Sequence, residues 1–152
     1  MTPETENSSF RDPSGFVFFC EGICYRQINP VYKDNYDFFL ASGLYEKLIN
    51  ERLLIPHETV DPGHLPFSGG YQTIKPEPIP FISYPYEWCF TQYKNAALVT
   101  LTILKHALSH NMILKDANAY NIQFYQGQPI FIDTLSFERY QEGKPWVGYK
   151  QF

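Results

Sequence analysis

Residues 110–121 have the sequence HNMILKDANAYN, and residues 130–133 have the sequence IFID. Four residues separate Asp116 from Asn121, and Asp133 closes the second segment. A carboxylate can accept the proton of a substrate hydroxyl, whereas carboxylate and amide oxygens are the ligands that hard cations such as Mg²⁺ prefer. The pattern therefore predicts a site at which Mg²⁺ and phosphate groups are handled.

Two predicted elements frame this pattern. Residues 92–109 combine apolar side chains at helical spacing with a lack of proline and glycine, which predicts a long helix. Residues 122–125 and 130–132 predict a hairpin around a short turn. Because a hairpin is a stiff connection, we expect it to bring Asn121 and Asp133 to one place.

This order of helix, loop and hairpin resembles the catalytic loop of protein kinases and the metal-binding Asp that follows it. In that resemblance Asp116 is the catalytic base, and Asn121 and Asp133 are metal ligands. The chain departs from it at Leu114-Lys115, which precedes Asp116 where protein kinases have His-Arg. The alternative is that these are polar residues that cap turns, in a small aromatic-rich binding domain unrelated to kinases.

The amino-terminal part contains candidates for the phosphate-contacting groups of a kinase-like site. Residues 16–20 and 23–28 predict a hairpin with a tight turn. The turn that precedes it places Gly15 where a phosphate could be covered, although it has one glycine and protein kinases have three. Arg26 is the cation on the second strand, where protein kinases have Lys.

A helix is predicted over residues 36–54 from its apolar spacing. It carries Glu46 and Glu51, and either of them could form an ion pair with Arg26. The alternative is that all three are solvated surface charges.

Strands are predicted at residues 71–74 and 79–84, and a hinge is predicted to follow them. The backbone of residues 82–87 is expected to meet the adenine of a nucleotide. Glu87 is the candidate cofactor-binding residue of this segment.

Composition limits the possible functions. The chain has 152 residues, 44% of them hydrophobic and 18% charged, so it can fill one core. Its net charge of −4 argues against binding nucleic acid through a basic face. Apolar runs fall far short of the roughly 18 residues of a membrane span, and the first residues are polar and acidic, so we expect neither a membrane segment nor a signal peptide. Three cysteines without framework spacing favour the cytoplasm.

The predicted fold class is α+β and protein-kinase-like, with a small antiparallel N-lobe sheet plus a helix, and a truncated C-lobe. Residues 1–9 are expected to form a disordered tail, residues 10–84 the N-lobe-like sheet and helix, and residues 85–152 the hinge and partial C-lobe. The aromatic residues after Asp133 have no visible partner elements. They predict an apolar strip that is exposed when this chain is taken alone. We expect a neighbouring domain or a second copy of the chain to cover it.

Four long, aromatic segments carry a further resemblance: ISYPYEW at 82–88, LKDA and YNIQF within 114–124, IDTLSFE at 132–138 and PWVGYKQF at 145–152. They resemble the amino-terminal region of a bacterial family of class I S-adenosylmethionine (SAM)-dependent methyltransferases, some of them nodulation-type proteins. The resemblance implies a methyltransferase-type protein whose SAM-binding domain lies downstream. This chain has no strand followed by the Gly-rich turn that a SAM site needs.

Two functional hypotheses follow. In the first, the chain is the kinase-like region of such a protein and retains a site for ATP and Mg²⁺, with the nucleotide near Gly15, Arg26, Glu46 and Glu87. In the second, it is a pseudokinase or structural interaction module without catalysis of its own, which packs on the methyltransferase domain or presents substrate to it. A complete kinase lobe has further helices that hold the catalytic loop, and this argues against phosphoryl transfer by this chain alone.

Overall fold

Two units make up the structure, a computed structural model that describes residues 12–61, 65–67 and 69–151, and the backbone of Glu4–Thr5. The first unit comprises Met1–Tyr36 and Pro56–Pro78, and the second comprises Asp37–Ile55 and Ile79–Phe152. Most of the predicted disordered tail, residues 1–9, lies outside the described residues.

The first unit contains the strands β1 (Glu4–Thr5), β2 (Gly15–Cys20), β3 (Ile23–Ile28), β4 (His57–Val60) and β5 (Gln72–Pro76). They form an antiparallel sheet in the order β1-β2-β3-β5-β4. The hairpin of β2 and β3 confirms the sequence prediction, and Glu21 and Gly22 at its turn both have positive φ, as a tight two-residue hairpin requires. The side chains of Phe18, Ile28 and Ile74 are buried in this unit.

Two short helices, α1 (Lys33–Ala41) and α2 (Leu44–Asn50), replace the single helix predicted over residues 36–54. The helix breaks at Gly43, whose φ of 80° is left-handed and therefore incompatible with a continuing α-helix. The apolar face of α2 is still buried after this break, as the full burial of Leu44 and Leu48 shows.

The second unit contains α3 (Phe90–Ser109) and two small two-stranded sheets. The predicted long helix and the hairpin after the loop are both confirmed. The hairpin pairs Ile122 with Phe131 at its open end. The strands are β6 (Met112–Leu114), β7 (Ile122–Tyr125), β8 (Gln128–Phe131) and β9 (Phe137–Arg139), and β6 pairs with β9.

One hydrophobic core holds the second unit together, and it takes in residues from before α3 as well as after it. Phe39, Leu48 and Leu54 pack in this core with Ile103 of α3 and Phe131 of β8. For this reason residues 37–55 belong to the second unit, whereas the sequence prediction grouped them with the sheet in residues 10–84.

Two sequence predictions in this unit are wrong. Residues 79–84 form no strand, because the backbone of Ser83 is bonded to the side chain of Gln123 and not to another strand. The strip after Asp133 is not simply exposed either. Phe137 is fully buried and stacks on Phe39, with 4.7 Å between ring centroids, while Tyr149 remains 61% exposed.

Candidate functional site

The loop that carries Asp116 is anchored by the pairing of β6 with β9. Leu114 lies opposite Phe137 in this pair, and the next amide, that of Lys115, donates to the carbonyl of Ser136 at 2.8 Å. Asp116 therefore emerges directly beside the turn that begins at Asp133.

A hydrogen-bonded chain joins the two predicted metal ligands. Asn121 Nδ2 donates to Ser136 Oγ at 3.3 Å, and Ser136 Oγ donates to Asp133 Oδ2 at 2.6 Å. Ser136 is fully buried, so this hydroxyl depends on protein partners for its hydrogen bonds. The structure thus brings Asn121 and Asp133 together, as the sequence predicted, through a residue that the prediction did not include.

The Asp133 carboxylate is also oriented by its own turn. Residues Thr134–Ser136 form a short 3-10 helix, and Asp133 Oδ1 accepts a hydrogen bond from the amide of Leu135 at 3.0 Å. The backbone on either side is fixed as well, since the amide of Ile132 donates to the carbonyl of Asn121 at 2.8 Å. Both oxygens of the carboxylate consequently have defined directions.

The Asp116 carboxylate is held through one of its two oxygens. Oδ1 accepts from the amide of Asn118 at 3.0 Å and from Nε2 of Gln151 at 3.0 Å. No donor to Oδ2 is found in the described part of the chain. This oxygen is the one that can take a proton from a hydroxyl group.

These groups fit a magnesium ion that is shared with phosphates. Because Asn121 uses its Nδ2 on Ser136, its Oδ1 points elsewhere, and no residue described in the structure donates to that oxygen. A carboxylate has about four lone-pair sites, so Asp133 can bind a metal ion in addition to accepting hydrogen bonds. Mg²⁺ is commonly bound by one or two protein oxygens together with substrate phosphates and water. Over the described residues, no cluster of three His, Cys, Asp or Glu side chains is placed to hold a metal by itself.

The hinge segment, residues 82–88, is held by side chains of the second unit. Gln123 of β7 accepts from the amide of Ser83 at 2.9 Å and donates to its carbonyl at 3.0 Å. The Ser83 hydroxyl in turn accepts from Trp88 Nε1 at 2.9 Å. Glu87 accepts from the amide of Tyr84 at 2.7 Å through its carboxylate. The amides of Ser83 and Tyr84 are thus both occupied, so an adenine would have to displace a side chain or use other groups.

Gly15 and Arg26 lie in the first unit. Gly15 is the first residue of β2, follows a turn in which Asp12 Oδ1 accepts from the amide of Ser14 at 2.8 Å, and is paired with Ile28. Arg26 lies on β3, where it is paired with Val17 of β2 and with Ile74 of β5. Their contact with a nucleotide phosphate stays a prediction.

Glu46 and Glu51, the two candidates for the helical Glu, differ in their surroundings. Glu46 is exposed on α2. Glu51 contacts Lys47 at 2.5 Å and His106 Nε2 at 2.8 Å. The hydrogen bond from Lys47, together with the charges of His106 and Lys47, holds the pKa of Glu51 below its usual value. Neither Glu46 nor Glu87 takes part in the hydrogen-bonded chain between Asn121 and Asp133.

Sequence reasoning missed three residues of this site. Ser136 lies three residues after Asp133, a spacing at which a hydroxyl can reach back across one turn, and that signal was available. Gln123 and Gln151 act on backbone and side chains that are distant in sequence, and nothing in the local sequence pointed to them.

The fold is kinase-like. The chain is similar to the structure of vaccinia related kinase 3, with a TM-score of 0.52 and 14% sequence identity over 95% of this chain and 50% of that one. This likeness and the mixed architecture confirm the predicted kinase-like fold class.

In sequence, the chain is similar to the nodulation protein NoeA of Rhizobium meliloti (strain 1021), with 37% identity over 146 residues. The match covers 95% of this chain but only 30% of the length of NoeA. No protein-family model matches the chain. None of the helices in the described residues has the length and apolar character of a membrane span.

Proposed function

We propose that this chain is a nucleotide-binding kinase-like module that holds Mg²⁺ and the phosphates of ATP at Asn121 and Asp133, with Asp116 as the base for a hydroxyl acceptor. The observation that carries the proposal is the chain of hydrogen bonds from Asn121 through buried Ser136 to Asp133. It joins an amide and a carboxylate that are ten or more residues apart, next to a carboxylate with an open oxygen. Asp116 and Asp133 both also cap the turns that follow them, but a turn cap by itself does not require a link from Asn121 to Asp133.

The roles of the residues follow from their geometry. When bound, Mg²⁺ neutralises phosphate charge and orients the phosphates for in-line attack. Asn121 offers its Oδ1, and Asp133 is kept in place by Ser136 and by the amide of Leu135. Asp116 accepts the proton of the attacking hydroxyl on Oδ2, because its Oδ1 is already engaged twice. Gly15, Arg26, Glu46 and Glu87 are the further residues proposed to lie near the nucleotide.

The test is stabilisation by ligand. ATP with Mg²⁺ at about one hundred times the dissociation constant should raise the melting temperature by roughly 5–10 °C for a chain of this size. Asp133→Asn keeps the shape of the side chain and removes its charge, so the rise with ATP and Mg²⁺ should fall to the small rise seen with ATP alone. No rise in the wild type, or an equal rise in Asp133→Asn, contradicts the proposal.

A matched control comes from the same part of the chain. Glu138 is an exposed carboxylate on β9, outside the hydrogen-bonded chain. Glu138→Gln removes the same charge and should keep the full rise in melting temperature. A loss in both variants would indicate a general effect of charge and not a metal site.

The second candidate is a pseudokinase module without catalysis of its own, and the hinge favours it. The amides of Ser83 and Tyr84, which an adenine would have to use, are occupied by Gln123 and Glu87. For such a module, ATP with Mg²⁺ leaves the melting temperature unchanged. Its partner would be a methyltransferase domain or a second copy of the chain, and sedimentation velocity distinguishes a monomer from a homo-oligomer.

The place of the module in a larger protein belongs to the same proposal. The resemblance of its sequence segments to SAM-dependent methyltransferases supports a longer chain in which a separate domain binds SAM and carries out methyl transfer. NoeA, to which this chain is similar, is about three times as long as the matched region. Three free cysteines agree with a cytoplasmic location.

A further inference from the structure

The last described segment of the chain is fastened to the loop of Asp116 at several points. Trp146 Nε1 donates to the carbonyl of Leu114 at 2.9 Å. Gly148 is buried, and a Cβ placed on it would lie 2.6 Å from Trp146 Nε1 and 3.1 Å from the Ala117 Cβ. The close packing at Gly148 therefore leaves no room for a side chain between the segment and the loop.

Gln151 completes this attachment with both ends of its amide. Its Oε1 accepts from the amide of Ala117 at 2.7 Å, and its Nε2 donates to Asp116 Oδ1 at 3.0 Å. The first bond fixes Gln151 to the loop backbone. The second hydrogen bond, from Gln151 Nε2, orients the Asp116 carboxylate relative to the loop backbone.

The consequence for Asp116 is a defined orientation. Its Oδ1 has two donors, the amide of Asn118 and Gln151, that approach from different parts of the chain. Rotation of the carboxylate about its Cβ–Cγ bond would break both. Oδ2 is then the oxygen presented to a substrate, and it is the better placed proton acceptor because it has no competing donor among the described residues.

We propose that Gln151 is a positioning residue for the base, holding Asp116 so that Oδ2 faces the acceptor hydroxyl. This inference rests on the function proposed above. In the simplest reaction, water attacks the γ-phosphorus of ATP, the bond from that phosphorus to the bridging oxygen breaks, and ADP and inorganic phosphate result. Asp116 takes the proton of the water and returns it to solvent.

The two hydrogen bonds of Gln151 can be separated by substitution. Gln151→Glu keeps an oxygen for the amide of Ala117, so the segment remains attached, but it has no donor for Asp116 and places a like charge beside it. Gln151→Met keeps the length of the side chain and removes both bonds. Lys150→Met changes the exposed neighbour and serves as the control.

The experiment measures ATP hydrolysis with Mg²⁺, because water is an acceptor that needs no identified substrate. In Gln151→Glu and Gln151→Met, kcat should fall by about 10- to 100-fold, as expected for a misplaced base, with KM for ATP changed by less than about twofold. Lys150→Met should leave both parameters unchanged. A purely structural role predicts that Gln151→Glu keeps the wild-type kcat, and that result overturns the inference.

Amide hydrogen exchange at Ala117 shows whether the variants act as designed. Exchange should be about fivefold faster in Gln151→Met, which corresponds to the loss of one ordinary hydrogen bond, and unchanged in Gln151→Glu. Unchanged exchange in Gln151→Met means that the hydrogen bond from the Ala117 amide to Gln151 is absent in solution, which also overturns the inference.

The two proposals fail in different ways. A wild type that is not stabilised by ATP and Mg²⁺ contradicts the nucleotide site, and the role of Gln151 falls with it. A wild type that binds ATP without turnover leaves the nucleotide site standing but contradicts both the role of Asp116 as the base and the positioning role of Gln151. A wild type that turns over ATP and keeps the same kcat in Gln151→Glu contradicts only the positioning role.

Discussion

The catalytic-loop region, residues 114–136, and the hinge segment, residues 82–88, use side-chain hydrogen bonds in opposite ways. In the catalytic-loop region, Gln151 bonds one of the two carboxylate oxygens of Asp116, and Ser136 bonds only the nitrogen of the Asn121 amide. Asp116 Oδ2 and Asn121 Oδ1 are left without a donor in the described part of the chain.

In the hinge segment, side chains instead take up the groups that a ligand would need. Gln123 bonds both the amide and the carbonyl of Ser83, and Glu87 bonds the amide of Tyr84. Under the proposed function, this difference favours binding of the metal and phosphates of a nucleotide over hydrogen bonding to its adenine. The predictions below test each side of this contrast.

The largest expected effect compares a phenylalanine behind the catalytic-loop region with one beside the hinge segment. Phe137 is fully buried against Phe39, whereas Phe81 is 74% exposed. Phe137→Ala should cost about 3–5 kcal/mol in the free energy of unfolding, because it leaves a cavity in the core. Phe81→Ala should cost less than about 0.5 kcal/mol. Urea unfolding measures both losses. Equal losses would show that Phe137 is not more deeply buried than Phe81 in solution.

The next effect concerns the bonds that occupy the hinge segment. Gln123→Leu removes both hydrogen bonds to the backbone of Ser83 and should cost about 2 kcal/mol, since each bond contributes about 1 kcal/mol. Amide exchange at Ser83 should become faster at the same time. The control is Gln128→Leu, a change at an exposed position on the neighbouring strand β8. A stable Gln123→Leu with slow exchange at Ser83 would show that the hinge amide is held by something else.

A pH series tests a buried histidine of the first unit, which lies outside both regions compared above. Burial lowers the pKa of His57 from 6.5 to about 4, and its Nε2 lies 3.0 Å from the hydroxyl of Tyr36. A pKa that is lower in the folded state means that the unfolded state binds the proton more readily. Stability is therefore fully present above pH 6.5 and declines as the pH falls towards 4. The loss from this group at pH 5 should be about 2 kcal/mol.

The measurement for His57 is the urea midpoint at pH 7 and at pH 5, in the wild type and in His57→Gln. The difference between the two proteins isolates this histidine from the other groups that titrate in the same range. A wild type and a variant that lose stability in parallel would show that His57 is not buried in its neutral form.

The smallest effect concerns the cap of the hinge turn. Glu87→Ala removes the carboxylate that accepts from the amide of Tyr84 and should cost about 1 kcal/mol. Glu87→Gln keeps an acceptor and should stay within about 0.5 kcal/mol of the wild type. If Glu87→Gln is as unstable as Glu87→Ala, the charge matters more than the bond, which points to a role beyond the turn.

The sequence was sufficient for the parts of the fold that depend on local pattern. The spacing of Asp116, Asn121 and Asp133, the helix before them and the hairpin between them all reflect short-range preferences. They are the parts that the structure reproduces. The kinase-like fold followed from that one segment.

The errors lie where distant groups decide the outcome. The helix predicted over residues 36–54 is interrupted at Gly43, because the left-handed backbone of this residue cannot continue an α-helix. The strand predicted at residues 79–84 is absent because Gln123, some forty residues away, supplies the partners of Ser83.

Phe137 is buried because β9 pairs with β6, a pairing that neither strand indicates by itself. Gln151 reaches Asp116 across thirty-five residues for the same kind of reason.

A crystal structure with ADP and Mn²⁺ tests whether Asn121 and Asp133 hold a divalent cation against nucleotide phosphates. Mn²⁺ prefers oxygen ligands like those of Mg²⁺ and is located by its anomalous scattering. We expect one anomalous peak at about 2.1 Å from Asn121 Oδ1 and from an oxygen of Asp133, with a phosphate oxygen as a further ligand, as in the proposed site. A nucleotide bound with its metal elsewhere, or crystals without a peak at these two residues, would contradict it.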